Sequence, residues 1–450
     1  MSLAILLGWI GLASAQQVGN MSAEIHPRLQ WSRCAADKSC QQIDGEITLD
    51  ANWRWLHQVG SYKSCYSGNT WDETVCNSEV NCTTTCALEG ASSEYSRVYG
   101  IKTDNNNTIS LKLKTYLDFS SNIGSRLYLM ESKTRYQTFT LLNNELAYDV
   151  DLSTVECGIN AALSFVAMDV DGGQAKHPTN KAGAEYGTGY CDATCSRGQR
   201  FVGGKSNMFA WVPSEHDPFA GEGPYGACCP EFAVGNSNAH SYSMSTHACV
   251  DDHYYVCQGR DECDFYSGGM RYFQCDLWGC NYNPYRLGAK DFYGRGKKVD
   301  TLRKFSVVTR FGETQVTHFF IQDGKKIELP SSTTNGLPTQ DGLTPEICKK
   351  MPVVFDERDA FAEIGGWEKH KKLLSRPMVL SMSITDDHYY YNTWLDSQFP
   401  LEDAGVREGV DRGDCYWEDS NPVAVEARYG NAKVIWSNIR FGPIGSTVDI

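Results

Sequence analysis

The chain carries eighteen cysteines in 450 residues, and this constrains its fold more than any other feature. The first fifteen residues say which chemistry those thiols meet. Met1–Ala15 reads MSLAILLGWIGLASA. Its apolar run, Leu3–Leu12, is too short to span a bilayer, and it ends in Ala13-Ser14-Ala15, the small-residue pattern of signal-peptide cleavage before Gln16. A secreted, extracellular product follows, with a signal peptide over 1–15 and the folded chain over 16–450. In an oxidising compartment an even set of this size predicts about nine disulfides. By spacing, Cys34/Cys40, Cys76/Cys82, Cys191/Cys195, Cys257/Cys263 and Cys275/Cys280 read as local loop staples. The sequons at Asn20, Asn81 and Asn106 are expected glycosylation sites. No later stretch reaches the length of a membrane helix, so no membrane partner is expected.

Between the cysteines the pattern is that of strands. Ser125–Ser132, Ala161–Val170, Lys304–Phe311, Pro377–Ile384 and Lys433–Phe441 mostly alternate apolar and polar residues, as half-buried strands do. Tyr136–Leu142 and Glu145–Leu152 flank Asn143-Asn144, and Val316–Gln322 and Lys325–Leu329 flank Asp323-Gly324. Both read as hairpins. One helix is expected, from Asp359 to Leu374, weakened by Gly365-Gly366. Long Gly- and Cys-rich loops fill 186–230 and 249–298. Early and late strands without intervening helices imply a large antiparallel sandwich in one domain, with no linker.

The net charge of −14 excludes a nucleic-acid partner, whose phosphates need Lys and Arg. The 24 Tyr and 11 Trp suit a neutral polar partner such as a sugar, because the CH faces of pyranose rings stack on aromatic planes. His247, Cys249, Asp251, Asp252 and His253 have the look of metal ligands, but Cys249 is expected in a disulfide, so no metal or cofactor is predicted. Arg412-Gly413-Asp414 spells an adhesion tripeptide, and is not read as one because Asp414 abuts a bridged cysteine.

Several segments, taken together and in order, resemble glycoside hydrolase family 7, the cellobiohydrolase and endoglucanase type. They are Asp50–Trp55 (DANWRW), Gly68–Trp71 (GNTW), Ser125–Met130 (SRLYLM), Ala167–Gly173 (AMDVDGG), Tyr186–Asp192 (YGTGYCD), Cys280–Gly288 (CNYNPYRLG), Asp291–Gly296 (DFYGRG) and Ile439–Thr447 (IRFGPIGST). The resemblance implies an all-β, concanavalin-like jelly roll of two curved antiparallel sheets, with disulfide-stapled loops over a glucan cleft or tunnel. It implies the pairs Cys34–Cys40, Cys65–Cys86, Cys76–Cys82, Cys157–Cys415, Cys191–Cys229, Cys195–Cys228, Cys249–Cys275, Cys257–Cys263 and Cys280–Cys348. It implies a β-1,4-glucan such as cellulose as partner, and a monomer with one family domain over 16–450 and no separate carbohydrate-binding module. Loops 186–230, 249–275 and 400–414 look as long as those of tunnel-type cellobiohydrolases, so any lost activity was of the exo type.

At one place the resemblance fails in a chemically pointed way. The family carries Glu-x-Asp-x-x-Glu after a Cys-Cys pair, the residues being nucleophile, helper and general acid/base. Here Cys228-Cys229 is followed by Glu231, Ala233 and Asn236. The nucleophile position is kept and both other carboxylates are gone. A retaining glycosidase needs two carboxyl groups about 5–5.5 Å apart, one to attack and one to protonate the leaving oxygen. Residues 231 and 233 share a strand face, while 236 needs a bulge to join them. Asn236 has no transferable proton. Near the expected subsites Thr385 stands where the family has Trp, Ser164 where it has Tyr and Thr194 where it has Gln. Trp55, Trp394, Asp192, His247, Arg271, Arg286 and Arg412 match residues that line the sugar path. The expectation is a cellulose-binding pseudoenzyme. Two alternatives remain at this level: an active cellulase whose donor is unrecognised (His240, His247, Asp251 and Asp252 being the nearby candidates), and a structural wall or matrix protein with a vestigial groove. Restoring Asp at 233, Trp at 235 and Glu at 236 is expected to raise activity.

Overall fold

The computed structural model describes residues 16–263 and 274–449. The proposed signal peptide and Arg271 lie outside the described residues. In chain order the strands that position the site are β1 (Trp31–Cys34), β2 (Ser125–Ser132), β3 (Asn144–Asp151), β4 (Asn160–Val166), β5 (Glu231–Ser237), β6 (Tyr242–His247), β7 (Cys280–Tyr282), β8 (Phe305–Phe311), β9 (Val316–Gln322), β10 (Lys325–Glu328), β11 (Met378–Thr385) and β12 (Lys433–Pro443). They form two sheets. One runs β2-β11-β4-β5-β6-β7, the other β1-β12-β3-β8-β9-β10. Pairing along both paths is antiparallel except between β1 and β12. The result is the expected all-β jelly-roll sandwich.

Alternation decides which side of each strand is buried. In the first sheet Leu163 and Phe165 of β4, Phe232 and Val234 of β5, Met244 of β6, and Leu380, Met382 and Ile384 of β11 turn into the core. They meet the second sheet through ring contacts such as Phe232–Phe311, with centroids 5.2 Å apart, and Phe165–Phe311 at 6.1 Å. Aromatic pairs at these distances add to the burial free energy of each ring. The opposite face of the same strands presents small polar groups and forms the floor of a cleft.

Three expectations are corrected. Asn143-Asn144 does not close a hairpin. Thr138–Phe139 pairs with β11 in the first sheet, whereas β3 pairs with β8 and β12 in the second. The left-handed Asn143, φ 61°, turns the chain from one sheet to the other. Asp323-Gly324, with φ of 53° and 72°, does close the β9–β10 hairpin. The single helix is two, Ala360–Ile364 and Gly366–Leu374. Asp359 caps the first by accepting the Ala362 N–H at 2.9 Å, and Gly365 at φ 121° ends it. Cys191 and Cys195 are not joined to each other, nor are Cys275 and Cys280. The bonds are Cys191–Cys229, Cys195–Cys228, Cys249–Cys275 and Cys280–Cys348, alongside Cys34–Cys40, Cys65–Cys86, Cys76–Cys82, Cys157–Cys415 and Cys257–Cys263. Short spacing brings two cysteines near one another, but here parallel rungs to a second loop win.

Among the described residues no helix is long and apolar enough to cross a membrane. Asn20 and Asn106 are exposed. Asn81 lies in the helix Glu79–Thr85, half-buried, with its amide donated to Thr85 Oγ1 at 3.2 Å.

Candidate functional site

The polar face of the first sheet floors a cleft of about 700 Å³. Successive rungs come from every second residue: Asn160, Ala162 and Ser164 on β4, Ser243, Ser245 and His247 on β6, and Ser381, Ser383 and Thr385 on β11. β5 supplies Glu231 and Asn236, which are an odd number of residues apart. A bulge makes this possible. Ser164 pairs with Ala233 and Leu163 with Gly235, so Val234 has no partner on β4. The ladder to β6 slips at the same place, between Ala233 and Asn236. The extra residue restores Asn236 to the cleft side.

Glu231 sits where burial and a neighbour act on its proton. Burial is the largest influence and pushes its carboxyl up to about 7, helped by the nearby Asp192 charge. Hydrogen bonds from Ser164 and from the backbone N–H of Ala193, with the Arg126 cation beyond, pull the other way. The loop that carries Ala193 is fixed to the start of β5 by Cys191–Cys229 and Cys195–Cys228. Asp192 itself accepts from Tyr190 at 2.7 Å and from the Thr194 hydroxyl at 2.6 Å. Ala233 is fully buried and offers Glu231 no polar atom.

Asn236 accepts, through Oδ1, a hydrogen bond of 3.0 Å from Asn160 Nδ2. Its β4 and β6 partners are Ala162 and Ser243. Of the four candidate rescue groups only His247 lines the cleft. His247 faces Glu231 across the ladder, and both its ring nitrogens are engaged, Nδ1 with the Asp276 carbonyl at 3.0 Å and Nε2 with Ser245 Oγ at 2.8 Å. His240 is held between Asp414 and Glu156, outside the cleft lining. Asp251 is exposed, and Asp252 is paired with Lys369 at 2.9 Å.

Of the residues read as lining the sugar path, Asp192, His247, Thr385, Trp394 and Arg412 come together on this cleft. Trp55 does not. Its indole stacks on His57, centroids 4.2 Å apart, and donates to Ser64 Oγ at 3.0 Å. Arg286 stands behind the wall, donating to the Gly409 carbonyl at 2.9 Å and Asn281 Oδ1 at 3.2 Å. Arg412 is buried and Asp414 is bonded to His240 and Lys297, so the Arg412-Gly413-Asp414 tripeptide is not displayed. The sequence of loops and strands gave no sign of Asn160 as partner to Asn236, nor of Arg126, whose guanidinium lies 3.5 Å over the Tyr190 ring at the cleft wall.

A curved jelly-roll sandwich with one polar face hollowed into a cleft defines the class: a glycoside hydrolase scaffold. The chain belongs to glycosyl hydrolase family 7, whose model matches residues 18–448. It is 50% identical to the cellobiohydrolase from Melanocarpus albomyces, solved with cellotetraose, with a TM-score of 0.93, covering 97% of this chain and 100% of that one. A cellobiohydrolase from Daphnia pulex is 39% identical at a TM-score of 0.93, covering 96% and 100%. The Humicola insolens endocellulase EGI is 29% identical at 0.80, covering 96% and 100%.

Proposed function

We propose that this is a secreted, monomeric family 7 protein whose cleft binds a β-1,4-glucan chain such as cellulose and hydrolyses it weakly or not at all. The observation that carries the reading is Asn236, set at the acid/base position with its carbonyl oxygen occupied by Asn160. The cellotetraose-bound relative supports glucan as the ligand. The higher TM-score to cellobiohydrolases than to an endocellulase supports a long-looped, exo-type cleft. Exposed sequons at Asn20 and Asn106 suit glycans, while Asn81 does not.

The chemistry follows from proton supply. Glu231, once ionised, attacks the anomeric carbon, and the departing sugar takes the bonding electron pair as an alkoxide. An amide has no proton to give it. General acid help of about 10²–10⁴-fold is lost, and more where the leaving group is as poor as a sugar alkoxide. An activated aryl leaving group needs no such help. It would depart and leave a glycosyl ester on Glu231, which then waits because no general base draws a proton from the attacking water.

The test compares cellohexaose with an aryl cellobioside bearing an activated phenol. The expected result is phenol release in a burst of one equivalent per chain and no cellobiose from cellohexaose. Steady release of cellobiose would overturn the reading and favour a working cellulase. Calorimetry with cellohexaose tests the binding half separately; absence of binding would favour a structural role.

A further inference from the structure

At one edge of the cleft three side chains bring ligand atoms to a common point. His388 Nε2 lies 3.5 Å from Glu426 Oε1 and 3.9 Å from Asp386 Oδ2. Side-chain exposures are 8% for His388, 8% for Asp386 and 13% for Glu426. Asp386 and His388 line the cleft. The other close groupings of candidate ligands among the described residues are built on disulfide sulfurs, which are not thiolates.

Two further observations point to a ligand. His388 Nδ1 is 2.9 Å from the His216 carbonyl oxygen. A carbonyl only accepts, so Nδ1 carries a hydrogen, and Nε2 faces two carboxylates, where a bound cation would take the place of the proton that the ring otherwise holds toward Glu426. Fixing the far nitrogen on a backbone carbonyl is how metal-ligating imidazoles are oriented. Secondly, Asp386 Oδ2 has no hydrogen-bond partner although its side chain is more than nine-tenths buried. A proton on Nε2 would serve Glu426 and still leave that oxygen, at 3.9 Å, unserved. A cation between the three serves all of them.

We propose that Asp386, His388 and Glu426 form a binding site for one divalent transition-metal cation of the zinc class. Zinc ligands at about 2.0–2.2 Å in a tetrahedron stand about 3.4 Å from one another. The 3.5 and 3.9 Å separations require a contraction of a few tenths of an ångström. One imidazole and two carboxylates suit zinc better than calcium or magnesium, which take six or more oxygens. Lys114 holds the other oxygen of Glu426 at 2.8 Å, orienting that ligand and leaving a net single negative charge to meet the dication. The fourth position opens on the cleft, where water or a sugar hydroxyl fills it.

The experiment is calorimetric titration of the EDTA-dialysed, full-length protein with ZnCl2, repeated with CoCl2 and followed by visible absorption. Expected are one Zn2+ per chain and the intense Co2+ bands of a four-coordinate site. Asp386→Asn and His388→Ala should each weaken Zn2+ binding by about 100-fold, with circular dichroism unchanged. Asp386→Asn keeps the side chain's shape, so it carries the test if His388→Ala fails to fold. No one-site binding, binding unchanged in the variants, or MgCl2 and CaCl2 binding as tightly as ZnCl2 would each overturn the proposal.

Discussion

Ser164 stands directly opposite Ala233 across the β4–β5 ladder, and it is Ser164 that hydrogen-bonds the Glu231 carboxylate. Residue 233, on the strand of Glu231 itself, contributes only a buried methyl group. The neighbouring strand thus supplies the polar contact that residue 233 lacks.

Removing that contact has a definite sign. Ser164→Ala leaves burial less opposed, so the Glu231 carboxyl should move above its position of about 7. The rate of the aryl cellobioside burst against pH reports it, because only the carboxylate attacks. The ionisation limb should move to higher pH in the variant. A limb that stays in place would mean that Ser164 does not bond the carboxylate.

Ala233→Asp with Asn236→Glu should restore turnover of cello-oligosaccharides by about 10²-fold or more, the least that a positioned acid contributes. Product chromatography measures it. Adding Gly235→Trp, which the sequence alone recommends, should not help. A Cβ at 235 would lie 2.9 Å from the Tyr242 ring, and that ring is tied by its hydroxyl to the Val234 carbonyl at 2.6 Å. The space is filled, and overpacking costs about 1–3 kcal/mol. The triple variant should therefore melt below the double one.

Trp394→Ala should weaken cellohexaose binding by about 1–3 kcal/mol, the range for a ring that stacks on a flat partner. Trp55→Ala should cost less, since its indole is spent on His57 and Tyr62 and does not line the cleft. Calorimetry of the two variants side by side decides the order.

His240 gives the stability a pH dependence. Its Nδ1 lies 2.9 Å from Asp414 Oδ1 and its Nε2 3.3 Å from Glu156 Oε2. Both partners accept, so the doubly protonated ring fits. Burial opposes the charge, but the bonds to Asp414 and Glu156 outweigh it and raise the imidazole from 6.5 to about 9. The folded chain keeps a proton that the unfolded chain sheds. This contribution is complete below pH 6.5 and disappears as pH climbs through about 9. After allowance for solvent screening it amounts to about 2 kcal/mol. Urea unfolding across that window should show a shallower fall for His240→Gln than for the parent chain. Parallel curves would rule the pincer out as the cause.

The sandwich and its strands were legible because alternation records which face is buried, and Phe232, Val234, Leu380 and Met382 keep to it. The sheet change at Asn143-Asn144 was not, since a turn signature encodes a reversal and says nothing of the strand that waits beyond it. The departure at Ala233 and Asn236 from the carboxylates that the family carries could be read by resemblance, after Cys228-Cys229. Its accommodation could not, because Ser164, Asn160 and Tyr242 reach the site through pairings between strands far apart in sequence or through a ring folded back on its own hairpin. Arg286 was misplaced for a related reason: a residue can match a motif while its side chain turns behind the wall. Asp386 and His388 lie two apart in one loop, but Glu426 joins them from a helix near the end of the chain.

β12, Lys433–Pro443, pairs with β1, with β3 and with Thr108–Lys112, so a strand made long after its partners is the central plank of its sheet. Cys157 likewise meets its partner 258 residues later. A nascent chain emerging from the ribosome therefore cannot close its outer layer in instalments. It must carry exposed apolar strands until β12 emerges, and the Cys157 thiol unmatched over the next 258 residues, which makes yield in a heterologous host depend on chaperone and oxidase capacity over that interval.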